Sequence, residues 1–263
     1  MSERTLEIDR AGDVGWVWMN RPAVHNALNE AMIEQLAEAF LYLGEDPDVR
    51  VIVLSGRGKS FSAGGDVEYM QRQGAAPRES NLANARALAE MFHVIALTPK
   101  PTIARVNGAA MGGGLGLIAV CDIAVASTTA KFAASEVRLG LIPSTIAPYV
   151  LEAIGPREAR RLFQTGERID AAHAQRIGLV HETAEPDQLD SRLQVIVNDL
   201  LLGAPAAQSA AKRLIENIAG RPVTRDLMEQ TAVRIADIRA GSEAVEGLSA
   251  FLEKRSPDWV PQK

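Results

Sequence analysis

The chain has 263 residues, 47% of them hydrophobic and 23% charged, and a formal net charge of −5. These ordinary values argue against a disordered or fibrous chain, and the negative charge argues against binding to nucleic acid through an overall positive field. The single cysteine, Cys121, allows neither an internal disulfide nor a cysteine zinc cluster. No apolar run reaches membrane-spanning length and residues 1–10 lack the layout of a signal peptide, so we predict a cytoplasmic protein that does not enter membranes.

The first two thirds of the chain alternate predicted strands and helices, which indicates an α/β core. Residues that favour β-structure flank a turn at residues 11–13 and predict a hairpin. A helical stripe of apolar residues begins at Leu28, and Asn26 is the candidate cap of that helix. Short apolar runs predict strands at residues 51–54 and 102–106, and periodicity predicts a helix over residues 82–97.

After about Leu201 the pattern changes, because residues 206–219, 224–239 and 242–254 are helix-like and no predicted strand separates them. Such a helical segment forms either a layer on the core or a contact between subunits. We therefore expect a core over residues 1–202 and a C-terminal helical region over residues 203–263, with the boundary near Gly203.

Two glycine-rich stretches fail as nucleotide-binding motifs. Residues 58–60 resemble the end of a phosphate-binding loop, but the first glycine of that motif would fall at Val53. Residues 112–116 resemble a dinucleotide fingerprint, but its last glycine would fall at Leu117. The sequence therefore predicts neither a nucleotide triphosphatase nor a dinucleotide-binding protein.

Two loops of small residues follow buried strands and carry the predicted chemistry. They are Phe61-Ser62-Ala63-Gly64-Gly65-Asp66 and Asn107-Gly108-Ala109-Ala110-Met111-Gly112-Gly113-Gly114. Small side chains let the backbone approach a ligand and leave its N–H groups accessible. Two such loops side by side can direct two N–H groups at one oxygen, which is the geometry of an oxyanion hole in acyl chemistry. A pair of tight turns with packing glycines is the alternative.

With their neighbours, these loops resemble the enoyl-CoA hydratase/isomerase, or crotonase, superfamily. The likeness runs along nearly the whole chain and includes Asn20-Arg21-Pro22, Asn26-Ala27-Leu28-Asn29, Ser60 through Asp66, Gly112-Gly113-Gly114, Cys121-Asp122-Ile123, Glu136 through Pro143, and Phe251 through Arg255. The resemblance implies a spiral of ββα units with C-terminal helices at the contacts of a homotrimer, often as a dimer of trimers. It also implies an acyl-CoA thioester substrate, and since coenzyme A is part of that substrate we predict no separate cofactor and no metal site.

The resemblance assigns roles to residues at matching positions. Gly65 and Gly113 match the two backbone donors of the oxyanion hole, although family members often have alanine where Gly65 stands. Further residues match positions that contact CoA: Lys59 near its phosphates, Ala63 and Asp66 through their backbone at its adenine, and Phe251 and Lys254 from a neighbouring subunit.

Glu136 matches one of the two glutamates of an enoyl-CoA hydratase, and the other falls at Gly116, which has no side chain. The two-carboxylate clamp that holds water in the standard hydratase therefore cannot be assembled from these positions. A lone carboxylate beside an oxyanion hole can still move a proton at the carbons next to the thioester. Double-bond isomerases of the family are similar in using one glutamate at this position, and so are some hydratases.

Residues 135–149 look like those of bacterial methylglutaconyl-CoA and related branched enoyl-CoA hydratases, although Pro143-Ser144 departs from the glycine-rich run usual after that proline. The leading hypothesis is a hydratase that adds water to α,β-unsaturated acyl-CoA esters, branched or carboxylated ones included, through an enolate. The first alternative is a double-bond isomerase, and a non-catalytic acyl-CoA-binding protein is an alternative of another class. Arg138 is interpreted as a surface or interface residue rather than as a ligand of a substrate carboxylate.

Overall fold

The computed structural model describes residues 4–261, and the strands in this range form two sheets. The strands are β1 (Leu6–Ala11), β2 (Val14–Met19), β3 (Val51–Gly56), β4 (Ser60–Ser62), β5 (Thr102–Val106), β6 (Ala109–Met111), β7 (Ile123–Ser127), β8 (Lys131–Ala133), β9 (Ile169–Asp170) and β10 (Glu182–Ala184). The larger sheet has the order β1-β2-β3-β5-β7-β10 and the smaller has the order β4-β6-β8-β9. The predicted hairpin is present, because β1 and β2 pair antiparallel.

The helices of residues 4–261 pack around these sheets. They are α1 (Glu30–Glu45), α2 (Val67–Ala75), α3 (Arg78–Leu97), α4 (Gly113–Ala119), α5 (Ala147–Thr165), α6 (Ala171–Arg176), α7 (Leu189–Leu202), α8 (Pro205–Ile218), α9 (Arg225–Ala240) and α10 (Ser242–Glu253). Short 3₁₀ turns cover Pro22–Val24 and Glu136–Leu139. None of the helices within the described range is long and apolar enough to cross a membrane.

Successive strands step between the two sheets and build a spiral. β3, β5 and β7 are neighbours in the large sheet, and each is followed in the chain by a strand of the small sheet, β4, β6 and β8. Neighbouring strands are parallel within both sets. β3 is buried along its whole length, as expected for a strand that is covered on both faces. This arrangement confirms the predicted α/β spiral of ββα units.

The start of α1 differs from the prediction. Asn29 caps the helix, because its side chain accepts a hydrogen bond from the backbone N–H of Met32 (3.0 Å). Asn26 is fully buried with φ of 57°, and its amide donates to backbone carbonyls that include those of Ser60 and Phe61. The prediction of Asn26 as the cap was wrong, since this side chain instead joins the segment before α1 to β4.

The structure also contains α2, which the apolar pattern did not predict, and it begins α3 at Arg78 rather than at Leu82. Asp66 starts α2 by accepting a hydrogen bond from the backbone N–H of Tyr69 (3.2 Å). Tyr69 is the only buried residue of this helix. Since α2 is nine residues long with one buried position, it offers few apolar positions for a pattern to detect.

The C-terminal helices bury little of their surface within this chain. Leu227 is the only buried residue of α9 and Ala250 the only one of α10. Arg50, just before β3, donates from its guanidinium to the carbonyl oxygens of Gly203 (2.6 Å) and Trp259 (3.0 Å). The C-terminal region is therefore tied to the core at both of its ends.

Candidate active site

Three segments that the sequence singles out leave the small sheet at the same edge. Residues 63–66 follow β4, Gly112 and Gly113 follow β6, and Glu136 comes shortly after β8. Because β4, β6 and β8 are neighbouring parallel strands, their carboxyl ends lie side by side. The strand order therefore brings both glycine loops and Glu136 together.

These segments line a cavity of about 390 Å³, which we call the site cavity. Gly65, Gly113 and Glu136 all line it, together with residues of α2 and α3. A larger cavity of about 790 Å³ lies between α3, α5 and α8, and none of the residues predicted to act in catalysis lines it. The residues predicted to act in catalysis therefore lie at the site cavity and not at the larger one.

The backbone N–H groups of Gly65 and Gly113 have no hydrogen-bond acceptor among residues 4–261. Gly113 is the first residue of α4, where an N–H group finds no acceptor within the helix. The neighbouring N–H of Gly112, by contrast, donates to the carbonyl oxygen of Ala133 (2.8 Å). Two unpartnered donors on adjacent loops can bind one ligand oxygen.

Gly64 explains how closely the two loops approach. Its φ is 83°, and a Cβ atom on it would lie 2.5 Å from the carbonyl oxygen of Met111 and 3.1 Å from the backbone nitrogen of Gly113. Only glycine allows both this φ and this contact. At Gly65, a Cβ would meet the thioether of Met70 at 2.7 Å, so an alanine there requires only a flexible side chain to move.

Glu136 supplies the carboxylate of the site cavity. Its Oε2 is buried and has no hydrogen-bond partner within residues 4–261, while Oε1 lies 3.0 Å from the place that a Cβ on Gly112 would take. Burial raises the pKa of Glu136 above its ordinary value. A carboxyl group with a raised pKa beside two free N–H donors is suited to proton transfer near an oxyanion.

No second carboxylate fits at Gly116. This residue lies on α4, and a Cβ atom on it would lie 2.2 Å from Cγ2 of Ile146 and 3.0 Å from the ring of Phe92. Both neighbours are fully buried, so packed apolar groups fill the space. Among the described residues that line the site cavity, Glu136 is the only acidic one.

Adding even one methyl group at Gly116 is expected to destabilise the protein. The new Cβ of Gly116→Ala forces Ile146 or the backbone of α4 to move, and overpacking of this kind costs about 1–3 kcal/mol. Gly74→Ala is the matched control, because a Cβ on Gly74 in α2 meets nothing within 4 Å. Denaturant unfolding measures both free energies, and equal stabilities of the two variants would mean that space is available beside Gly116.

The structure places the predicted CoA contacts in two groups. Ala63 lines the site cavity, and Asp66 follows it in the same loop. The Asp66 carboxylate accepts a hydrogen bond from Arg21 (3.0 Å) and also caps α2. The backbone N–H of Asp66 donates to the carbonyl oxygen of Leu28 (2.9 Å). The other predicted contacts are exposed and do not line the site cavity, namely Lys59, Phe251 and Lys254.

Sequence reasoning missed the polar residues on the helical wall of the site cavity, Tyr69 on α2 and Asn84 on α3. The signal for Tyr69 is its place three residues after the capping Asp66, in the first turn of α2.

Arg138 does not line the site cavity; it is exposed, and its Nε donates to the carbonyl oxygen of Thr165 (3.3 Å).

Comparison with known proteins gives matches along the whole chain. A family model described as enoyl-CoA hydratase/isomerase matches residues 9–262. Crotonyl-CoA hydratase from Syntrophomonas wolfei is 31% identical over an alignment of 265 residues that covers 99% of each chain. Among solved structures, an enoyl-CoA hydratase from Shewanella pealeana has a TM-score of 0.94 at 39% identity, covering 97% of this chain and 96% of its own. An enoyl-CoA hydratase/isomerase from Marinobacter aquaeolei has a TM-score of 0.92 at 37% identity, covering 98% of this chain and 99% of its own.

Proposed function

Since this chain belongs to the enoyl-CoA hydratase/isomerase family, we propose that it is a hydratase that adds water to the double bond of an α,β-unsaturated acyl-CoA thioester. One observation carries this proposal. Two unpartnered N–H groups, those of Gly65 and Gly113, line the same cavity as the carboxylate of Glu136, whose Oε2 is buried. A thioester oxygen that gains negative charge needs the donors, and the proton that moves needs the carboxylate.

The reaction begins with the thioester oxygen bound to the N–H groups of Gly65 and Gly113. Water oxygen adds to the β-carbon, and the electrons of the double bond move toward the carbonyl, which becomes an enolate. The fold holds both donors in place before the charge develops, so they need not reorganise during the reaction. Such preorganised stabilisation of charge is usually the largest contribution to the rate enhancement.

Glu136 serves both proton transfers in this scheme, because no second carboxylate lines the site cavity within the described chain. Its carboxylate accepts a proton from the attacking water and returns a proton to the α-carbon. The product gains one hydroxyl group and one hydrogen atom, and the carboxylate is regenerated. A base with a raised pKa gives up its proton less readily but accepts it more readily, which suits the first of these transfers.

A double-bond isomerase is the second candidate, and the packing around Gly116 favours it. Isomerisation needs one group that removes a proton and returns it at another carbon, whereas hydration also needs a held water molecule. Ile146 fills the space where a second carboxylate would hold that water. The residues after Glu136 favour the hydratase through their resemblance to branched enoyl-CoA hydratases.

A panel of purified acyl-CoA esters separates these activities. Loss of the conjugated enoyl absorbance measures hydration, movement of the double bond measures isomerisation, and titration with saturated esters measures binding alone. Hydration of at least one 2-enoyl-CoA is the expected result. Isomerisation without hydration would assign the isomerase, and binding without either reaction would assign an acyl-CoA-binding protein.

We propose a branched, methylglutaconyl-like acyl chain as the substrate of this hydratase. The resemblance of residues 135–149 supports this choice. Apolar side chains at the rim of the site cavity supply hydrocarbon contacts, namely Leu139, Leu141 and Ile142. These three are exposed, so a substrate that covers them gains from their burial.

We also propose that residues 203–263 mediate assembly into a homotrimer or a dimer of trimers, and that the protein acts in the cytoplasm. The support for assembly is the amount of exposed apolar surface on the C-terminal region. Large side chains that are more than half exposed there are Ile215, Val223, Met228, Ile235, Val245, Leu248, Phe251 and Leu252. Where exposed apolar side chains form contiguous patches, they mark contacts between proteins.

Neutralising Lys59 and Lys254 together is expected to weaken CoA binding. An acidic protein must bind phosphates through local cations, and exposed ion pairs contribute about 0.2–1 kcal/mol each. At about 1.4 kcal/mol per tenfold change, Lys59→Ala with Lys254→Ala should lower affinity roughly two- to thirtyfold and flatten its dependence on ionic strength. Calorimetric titration at several salt concentrations measures both effects.

Arg160→Ala is the control for this pair, because Arg160 is an exposed cation on α5 and is not a predicted CoA contact. The control is expected to retain both affinity and salt dependence. If the double variant binds CoA at low salt as tightly as the parent does, the assignment of Lys59 and Lys254 is wrong.

A further inference from the structure

The wall of the site cavity formed by α2 and α3 carries a hydrogen-bonded pair of polar side chains. Tyr69 is 4% exposed, and its hydroxyl oxygen accepts a hydrogen bond from Nδ2 of Asn84. Both residues line the site cavity. Their position is fixed at both ends, since Asp66 caps the turn of α2 that carries Tyr69 and Asn84 lies within the long helix α3.

This pair has hydrogen-bond donors left over. A phenol has one proton and an amide has two, and the hydrogen bond between Tyr69 and Asn84 uses one amide proton. Within residues 4–261, neither the Tyr69 hydroxyl proton nor the second amide proton has an acceptor. Of the two residues only Tyr69 is buried, because Asn84 is half-buried. A buried donor without a partner costs free energy that a ligand acceptor recovers. Burial also raises the pKa of Tyr69, so the hydroxyl keeps its proton.

The rest of this wall is apolar. Met70 follows Tyr69 on α2, and Ala85 and Leu88 lie beside Asn84 on α3. The other hydroxyl groups that line the site cavity belong to Ser135, Ser144 and Thr145, on the segment that carries Glu136. No lysine, arginine or histidine of the described chain lines this cavity. The wall therefore suits a hydrocarbon chain that presents one hydrogen-bond acceptor to Tyr69 and Asn84.

We propose that Tyr69 and Asn84 recognise an oxygen atom on the acyl chain, so that the enzyme selects enoyl-CoA esters with a carboxylate, hydroxyl or carbonyl oxygen beyond the double bond over plain hydrocarbon esters. This inference rests on the proposed hydration of an enoyl-CoA. It assigns specificity to two residues other than the proposed oxyanion donors and Glu136. A purely structural pair that joins α2 to α3 is the competing account.

The test compares three 2-enoyl-CoA esters of equal chain length that end in a methyl, a hydroxyl or a carboxylate group. Selectivity is the ratio of kcat/KM for an oxygen-ended ester to that for the methyl-ended ester. Tyr69→Phe removes the hydroxyl and should lower selectivity roughly three- to tenfold for the hydroxyl and roughly ten- to a hundredfold for the carboxylate, because hydrogen bonds to charged groups are stronger. Tyr42→Phe is the control, since Tyr42 is 63% exposed on α1.

Asn84→Asp separates the two kinds of oxygen. Its carboxylate accepts the Tyr69 proton and adds negative charge to the wall, so selectivity for the carboxylate-ended ester should fall further than selectivity for the hydroxyl-ended ester. Unchanged selectivity for both oxygen-ended esters in Asn84→Asp would contradict the assignment of Asn84.

The structural account predicts a different pattern, in which Tyr69→Phe changes kcat/KM for all three esters equally or changes none. Either result overturns the proposal. Titration with the saturated forms of the same esters measures binding without hydration. It therefore tests the recognition of oxygen separately from the proposed hydratase activity. If the parent hydrates none of the enoyl esters yet binds the oxygen-ended saturated forms more tightly in a Tyr69-dependent way, the hydratase assignment fails and the recognition of oxygen stands.

Discussion

Replacing Glu136 with glutamine is expected to lower turnover by about 10²–10⁴-fold, the usual contribution of a general acid–base group. Glutamine keeps the shape of the side chain and removes the titrating group. Because Oε2 of Glu136 has no hydrogen-bond partner within the described residues, glutamine breaks no contact of that oxygen, and affinity for acyl-CoA should change little. The loss should therefore appear in kcat far more than in KM.

Two further measurements test the role of Glu136. Activity that depends on the carboxylate form should fall toward acid pH with a midpoint above 4.5, the ordinary value, because burial raises the pKa. Exchange of the α- or γ-proton of the substrate with deuterated water should be fast in the parent and slow in Glu136→Gln. Equal exchange rates in the two proteins would remove Glu136 from the mechanism.

Glu136→Gln should be at least as stable as the parent at neutral pH. The folded state holds the Glu136 proton more tightly than the unfolded chain does, because its pKa is raised in the fold. The protonated form of Glu136 therefore makes its full contribution to the free energy of unfolding below pH 4.5, and this contribution is lost as pH rises through the raised pKa. Glutamine is neutral at every pH and avoids that loss, so reduced activity cannot be attributed to unfolding.

Gly113→Pro is expected to lower turnover by about 10²–10³-fold, the loss seen when one oxyanion donor is removed. Proline has no N–H group, and Gly113 is the first residue of α4, a helix position where proline is well tolerated. The thioester oxygen would then have only the Gly65 donor while its charge develops. The parent and the variant are compared by kcat on the ester that the parent hydrates best.

Gly113→Ala is the matched control for this loss. Both substitutions add a Cβ that would lie 2.9 Å from Cδ1 of Leu28, but alanine keeps the N–H group. Proline also adds Cγ and Cδ and fixes φ, so the difference between the two variants measures the loss of the donor together with these effects of the ring. If Gly113→Pro folds and turns over as fast as Gly113→Ala, then Gly113 is not part of the oxyanion hole.

Local patterns in the sequence were sufficient to predict the core of the fold. β5 is found at the predicted residues, and the fully apolar run that begins at Val51 is the buried strand β3. The cap of α1 was misassigned because Asn26 and Asn29 are equally good capping residues by type. The choice between them depends on β4, a strand distant in the sequence that accepts the hydrogen bonds of Asn26.

The candidate site was predictable where it follows strand ends and not where it depends on packing. Gly65, Gly113 and Glu136 follow neighbouring strands of one sheet, so motifs were enough to predict that they lie together. The sequence shows that Gly116 has no side chain. It does not show that Ile146 occupies the space beside Gly116, which depends on the packing of the fold. Tyr69 and Asn84 come from two helices, and their hydrogen bond arises only when α2 folds onto α3.

Arg50 has a consequence for how the protein denatures. It binds the carbonyl oxygens of Gly203 and Trp259, at opposite ends of the C-terminal region, from a position beside the first buried strand of the large sheet. Detaching that region would leave the guanidinium donors without these acceptors, at the cost of lost charge-assisted hydrogen bonds. The core and the C-terminal helices are therefore coupled and are expected to unfold in one cooperative transition rather than as two independent units.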